Sequence, residues 1–151
     1  MQYIKCDLCQ EDNSRFLFFD NNFRLVKCIN CGLIYINPRP TSSELNKFYD
    51  SPSSFVNYYS NYIKNEKGFR FEARKLLFKI KKFKDTGRFL DIGCAAGFLL
   101  DEARNLGYDT YGLEIKRDFY FYAKDKLGLK ICDRPLEEIR FQDNFFDAVC
   151  M

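Results

Sequence analysis

Phe89-Leu90-Asp91-Ile92-Gly93-Cys94-Ala95-Ala96-Gly97-Phe98-Leu99-Leu100 decides how this chain is read. Apolar residues run into an acid, two glycines follow, and an apolar helical start comes next. That is a short buried strand, a tight loop and a helix. The loop falls outside the carboxyl end of a parallel strand, where open α/β sheets bind their ligands. Gly93 and Gly97 remove side chains where the backbone must come close to a ligand. Asp91 places a carboxylate at the strand's tip, within reach of a ligand amine.

A dinucleotide fingerprint needs G-x-G-x-x-G, with the helix N-terminus facing a pyrophosphate. Here Ala95 stands two residues after Gly93, and Asp91 stands two before it. A carboxylate so close repels a pyrophosphate and pairs with an ammonium. The pattern D-x-G-x-x-x-G therefore suits a cationic ligand that carries an adenosine. Phe89 to Gly97 closely resembles the first motif of class I S-adenosylmethionine-dependent methyltransferases. A nicotinamide-dependent Rossmann oxidoreductase is the alternative enzyme, and a non-catalytic zinc-ribbon binding module is the alternative without chemistry.

The downstream order agrees with that resemblance. Phe98 to Leu106 reads as a helix that Gly107 can end in a left-handed cap. Tyr108 to Leu113 is a second strand, and Glu114 stands at its tip, 21 residues after Gly93. An acid at this distance is placed to accept two ribose hydroxyls, with Ile115 beside the adenine. Lys116 to Leu127 is a helix, Leu129 to Cys132 a third strand, and Phe146 to Met151 a fourth. The resemblance implies a Rossmann-like α/β fold with a seven-stranded sheet. It also implies that the backbone from Gly93 through Cys94 and Ala95 to Gly97 holds the methionine part of the cofactor. By the same resemblance, Pro135 and Leu136 lie along the adenine edge, and Tyr59 and Tyr62 in the lead-in segment cover the methionine end. Only four of the seven strands are visible, so the chain is expected to be a C-terminally truncated fragment, lacking most of the substrate pocket and inactive alone. No catalytic residue is assigned.

The first 40 residues form a different unit. Cys6-Asp7-Leu8-Cys9 and Cys28-Ile29-Asn30-Cys31 enclose 18 residues, Gln10 to Lys27. That is the spacing of a four-cysteine zinc site. Two tight turns would bring four thiolates into a closed tetrahedron, which favours structural over catalytic zinc. Iron suits the same ligands. Strands at 15–20 and 23–27, joined by Asp20-Asn21-Asn22, complete a zinc ribbon. Leu33 to Ile36 is its last strand, stopped by Pro38 and Pro40, and Thr41 to Glu44 can cap a short helix. Cys28 to Thr41, with Leu45 and Phe48-Tyr49, is similar to the start of many zinc-ribbon methyltransferases encoded with glycan or small-molecule pathways. The expected divisions are thus a ribbon at 1–40, a linker or lid at 41–65 and the cofactor-binding half-domain at 66–151.

Composition bounds the rest. The chain has 151 residues, 46% of them hydrophobic and 18% aromatic, and a net charge of +3. No strong basic footprint indicates nucleic acid, and no apolar run approaches the roughly 20 residues of a membrane span. A small-molecule or glycan-pathway substrate, no nucleic-acid or membrane partner and a cytoplasmic location are expected. There is no histidine, which removes the commonest general base. Between the lid and the first strand, Glu66 to Lys84 reads as an amphipathic helix. Its apolar stripe would be Phe69, Ala73, Leu76, Ile80 and Phe83, and its lysines a solvated face. Cys94, Cys132 and Cys150 have no C-x-x-C partner and are expected to be plain buried thiols.

Overall fold

The structure, a computed structural model, describes residues 1–50 and 59–151. The linker at 51–54 and Tyr58 lie outside the described residues. The chain divides into two compact units, Met1–Ser51 and Pro52–Met151.

In the first unit β1 (Ser14–Asp20), β2 (Phe23–Cys28) and β3 (Ile34–Ile36) form an antiparallel sheet in the order β1-β2-β3. Asn21 and Asn22 join Asp20 to its partner Phe23, with φ of 45° and 66°. Two left-handed residues suit a tight hairpin whose twist matches the strands, and asparagine tolerates that conformation. Helix α1 (Ser42–Asp50) starts on a capping box. The Thr41 N–H and hydroxyl donate to the Glu44 carboxylate at 2.8 Å each, and the Glu44 N–H donates to Thr41 Oγ1 at 3.3 Å.

The second unit begins with the helical residues 59–64 (α2), then α3 (Glu66–Ile80), β4 (Gly87–Ile92), α4 (Phe98–Asn105), β5 (Tyr108–Leu113) and α5 (Arg117–Phe121). A π-helical turn at Tyr122–Lys126, β6 (Ile131–Cys132), a 3₁₀ turn at Leu136–Glu138 and β7 (Ala148–Cys150) follow. The four strands are parallel in the order β6-β5-β4-β7. The chain winds outward from β4 to β6 and then crosses to the other side, so the switch of direction falls at β4. A ligand crevice belongs there, outside the strand's carboxyl end. Among the described residues no helix is long and apolar enough to cross a membrane.

Four elements differ from the sequence reading. The third and fourth strands are shorter than expected. Phe146 precedes β7 because its ring packs on Tyr111 and Phe141, and the Asp147 N–H donates to the Arg88 carbonyl. The helix expected at 116–127 changes at Tyr122 into a π-turn, in which the Leu127 N–H reaches back five residues to Tyr122. In α3 the buried residues are Ala73 and Leu77, whereas Leu76 is 39% and Phe83 91% exposed. The helix ends at Ile80, so Phe83 no longer follows its stripe. Leu77, Phe89, Leu100 and Ala123 centre one cluster of the core, and Ala96, Phe98 and Phe119 centre another beneath Tyr59, Tyr62 and Phe69.

Candidate cofactor site and metal centre

β4 delivers Asp91 to the edge of the sheet between Gly112 of β5 and Cys150 of β7. The chain then turns through Gly93, Ala95 and Gly97 with φ of 75°, 47° and 80°. Three left-handed residues in five fold the loop back on itself, and the N–H groups of Gly93 and Cys94 both donate to the Leu113 carbonyl, at 2.8 and 3.0 Å. At Gly97 a side chain would also collide: a Cβ there would lie 2.5 Å from Leu129 Cδ1. The glycine thus serves close packing of α4 on the turn before β6.

Glu114 closes the loop from the other side. Its Oε2 accepts the Ala95 N–H at 2.8 Å and its Oε1 accepts the Lys116 N–H at 2.7 Å. Each carboxylate oxygen keeps a further lone pair, and its orientation is set by backbone. Asp91 has no such support. It is 8% exposed, and no donor or cation faces its carboxylate among the described residues. Burial, and then the charge of Glu114, push its pKa up to about 6. A buried carboxylate without a partner is costly unless a ligand supplies the partner. Its surroundings show where one would enter. Asp91, Gly93 and Cys94 line a cavity of about 250 Å³ together with Tyr62, Phe69, Glu72, Leu76 and Phe98.

The other residues singled out in the sequence are distributed around this centre. Tyr62 walls the cavity, stacked on Phe69 at 4.0 Å. Tyr59 packs on Phe119 at 5.2 Å and faces a second hollow with Asp118, Tyr122 and Asp125, so it is not brought to Asp91. Ile115 is 43% exposed beside Glu114, and Pro135 and Leu136 are exposed on the turn after β6. Burial, followed by the charges of Asp91 and Glu114, raises the pKa of the Cys94 thiol. Such a thiol is inert. Glu72 also lines this cavity, outside the residues that the sequence motifs mark. It shares one helical face with Phe69, Ala73 and Leu76, at i, i+3, i+4 and i+7, so an acid inside an apolar stripe was the available signal.

Comparison with known proteins agrees with this geometry. Residues 90–151 match the family described as "Methyltransferase domain". The α/β unit has the methyltransferase fold. S-adenosylmethionine-bound CalS10, an amino pentose methyltransferase from Micromonospora echinaspora, is 27% identical with a TM-score of 0.51, covering 64% of this chain. Magnesium protoporphyrin IX methyltransferase from Synechocystis, holding S-adenosylhomocysteine, is 15% identical with a TM-score of 0.53 over 69% of this chain. The plantazolicin methyltransferase BpumL, in complex with a triazolic analog and S-adenosylhomocysteine, is 19% identical with a TM-score of 0.53 over 70%. The chain spans 42%, 54% and 43% of the length of these three proteins respectively. No curated protein sequence matches.

The ribbon carries a candidate metal centre. The sulfurs of Cys6, Cys9, Cys28 and Cys31 all lie within 4.8 Å of one another, with Cys6 to Cys31 at 3.4 Å and Cys9 to Cys28 at 3.5 Å. Four thiolates around zinc at about 2.3 Å stand about 3.8 Å apart, so the set fits a tetrahedral ion. The two knuckles share one backbone plan. Gln10 N–H donates to Cys6 O at 2.8 Å and Gly32 N–H to Cys28 O at 3.1 Å. Cys6 N–H donates to Glu11 O at 3.0 Å, as Cys28 N–H does to Leu33 O at 2.8 Å. The residue after each second cysteine is left-handed, with φ of 61° at Gln10 and 83° at Gly32. The Glu11 backbone N–H, and then the Asn30 side chain, hold the Cys9 thiol down to about 6. The Leu33 N–H acts the same way on Cys31, but burial and the three crowding sulfurs push that thiol up to about 12. A dication bound among the four sulfurs would resolve the conflict, because its charge favours thiolate ligands.

Proposed function

We propose that this chain binds S-adenosylmethionine and supplies the cofactor-binding part of a methyltransferase acting on a small molecule or glycan-pathway metabolite, with a structural zinc in its ribbon. The observation that carries the reading is the unpartnered, buried Asp91 carboxylate at the tip of β4, opening on a cavity behind a left-handed glycine loop.

The fit is chemical. Asp91 accepts an ammonium, and the turn at Gly93 leaves backbone rather than side chain against the ligand. The free lone pairs of Glu114 match two adjacent hydroxyls, as a ribose offers. Tyr62, Phe69 and Phe98 exclude water beside Asp91, which strengthens that ion pair. The bound cofactor supplies an electrophilic methyl on sulfonium, and the protein's task is to hold, orient and dry it. The sugar-modifying activity of CalS10 supports the glycan-pathway class. The closed four-thiolate set supports a structural role for the metal.

Calorimetric titration tests the reading. S-adenosylmethionine is expected to release heat with the parent protein and NADH none. Heat with NADH alone would restore the oxidoreductase alternative, and silence with both would leave a binding module. Metal assay is expected to return about one zinc per chain. One iron in its place would make the ribbon a rubredoxin-like site.

A further inference from the structure

Helix α3 turns two phenylalanines away from the core. Ala73 and Leu77 define its buried side. At 100° per residue Phe71 and Phe78 fall well round the opposite side, and they are 57% and 69% exposed. Phe83, just beyond the helix, is 91% exposed. Cations flank this ridge, with Lys67 and Arg74 on one side and Lys75, Lys79 and Lys82 on the other. Phe71, Arg74, Lys75, Phe78 and Lys79 border a shallow hollow of about 530 Å³.

The charge is concentrated here. Residues 64–84 hold nine Lys and Arg against two Glu, a net +7 in a chain whose total is +3, so the remainder carries −4. Both acids are already engaged, Glu66 with Arg70 at 2.6 Å and Glu72 with Lys75 at 2.9 Å. Lys67, Lys79, Lys81 and Lys82 have no carboxylate at ion-pair distance among the described residues.

We propose that this face of α3 docks on an anionic lipid surface. The helix lies in the plane of the interface, with Phe71, Phe78 and Phe83 at the boundary between headgroups and acyl chains. The lysines extend to either side toward lipid phosphates. A crest of rings between two rows of cations matches a surface that is anionic outside and apolar just beneath. Single-stranded nucleic acid fits less well, because it needs free ring faces on which bases can stack. Here Lys75 and Lys82 already stand over Phe71 and Phe78, at 5.4 and 5.3 Å from the ring centroids. The sequence reading expected no membrane partner because no span is present, but a contact lying on the surface needs none. The inference is independent of the proposed methyl transfer.

Sedimentation of the purified protein with vesicles tests it. The protein is expected to bind phosphatidylcholine vesicles only when phosphatidylserine is included, and less as salt rises. The Lys79→Gln/Lys82→Gln double variant is expected to lower partitioning about twenty-five-fold, at about fivefold per lysine. Phe71→Ser/Phe78→Ser is expected to lower it about tenfold or more. Both pairs are exposed and outside the cavity at Asp91, so far-UV circular dichroism and S-adenosylmethionine affinity should be unchanged. Failure to sediment with anionic vesicles, or sedimentation unaffected by either variant, overturns the proposal. Tighter binding of a single-stranded oligonucleotide or an acidic protein through these four residues overturns it as well.

Discussion

In the Met1–Ser51 unit the buried side chains among the described residues are Cys6, Val26, Cys28 and Asn37, and two of those four belong to the four-cysteine cluster. Phe16, Phe18, Phe19 and Ile34 remain exposed on its sheet. The Pro52–Met151 unit instead buries Leu77, Phe89, Phe98 and Leu100 completely. It also ties α3 to α4 through Arg70, which donates to Asp101 at 2.7 Å and Glu102 at 2.9 Å. A unit of about 50 residues has too little interior to stabilise itself by apolar burial, and metals commonly make up the difference. One unit thus gathers four sulfurs where the other packs a sheet, and the difference predicts where each is vulnerable.

Removing the metal should break the comparison most sharply. Structural zinc contributes about 10–16 kcal/mol in small finger peptides. Chelation is therefore expected to unfold the ribbon and leave the α/β unit folded. Amide exchange measured across both units checks this, and equal loss of protection in both would show that they are not independently stabilised.

Asp91→Asn should move two readouts in opposite directions. Loss of a buried charge partner typically costs 2–5 kcal/mol of binding, so S-adenosylmethionine affinity should fall about a hundredfold. Without ligand the variant should be more stable at pH 7. The folded Asp91 pKa is raised from 3.8 to about 6, so the folded state holds its proton more tightly than the unfolded chain. Stability is therefore greatest below about pH 4, falls as pH rises to about 6, and is lower by up to about 3 kcal/mol beyond that. Cofactor affinity should run the other way, weakening about tenfold per pH unit below 6. Thermal melts and titrations from pH 5 to 8 check both signs.

Gly97→Ala sharpens the account of the α/β interior. A left-handed φ of 80° and a Cβ 2.5 Å from Leu129 Cδ1 both oppose it. Overpacking of this kind costs about 1–3 kcal/mol, read from denaturant midpoints. The smallest effect is expected at Gln10→Gly in the ribbon. The left-handed φ of 61° favours glycine, so the metal-bound ribbon should gain a few tenths of a kcal/mol, in contrast to the loss at Gly97.

Local patterns carried much of this in the sequence. The two C-x-x-C pairs at ribbon spacing, the strand at Tyr108 to Leu113 and the capping box at Thr41 are all written as patterns of residue type along the chain. Gln10 carries no such pattern, because nothing in glutamine signals a left-handed residue, and the backbone plan it shares with Gly32 shows only in space. The α3 stripe was misjudged by one residue because Leu76 and Leu77 are both apolar, and only the neighbouring α4 and β4 decide which is buried.

By itself the sequence determined the four-cysteine set, the order of strands and helices, and an acid at each of two strand tips. Those features follow from spacing, periodicity and turn chemistry along the chain. Only the tertiary structure decided that Asp91 stands buried without a partner while backbone N–H groups occupy Glu114. It also decided that Glu72 joins the cavity and that Phe71 and Phe78 face outward. Burial and electrostatic environment are set by what packs around a residue, and those neighbours come from distant parts of the chain.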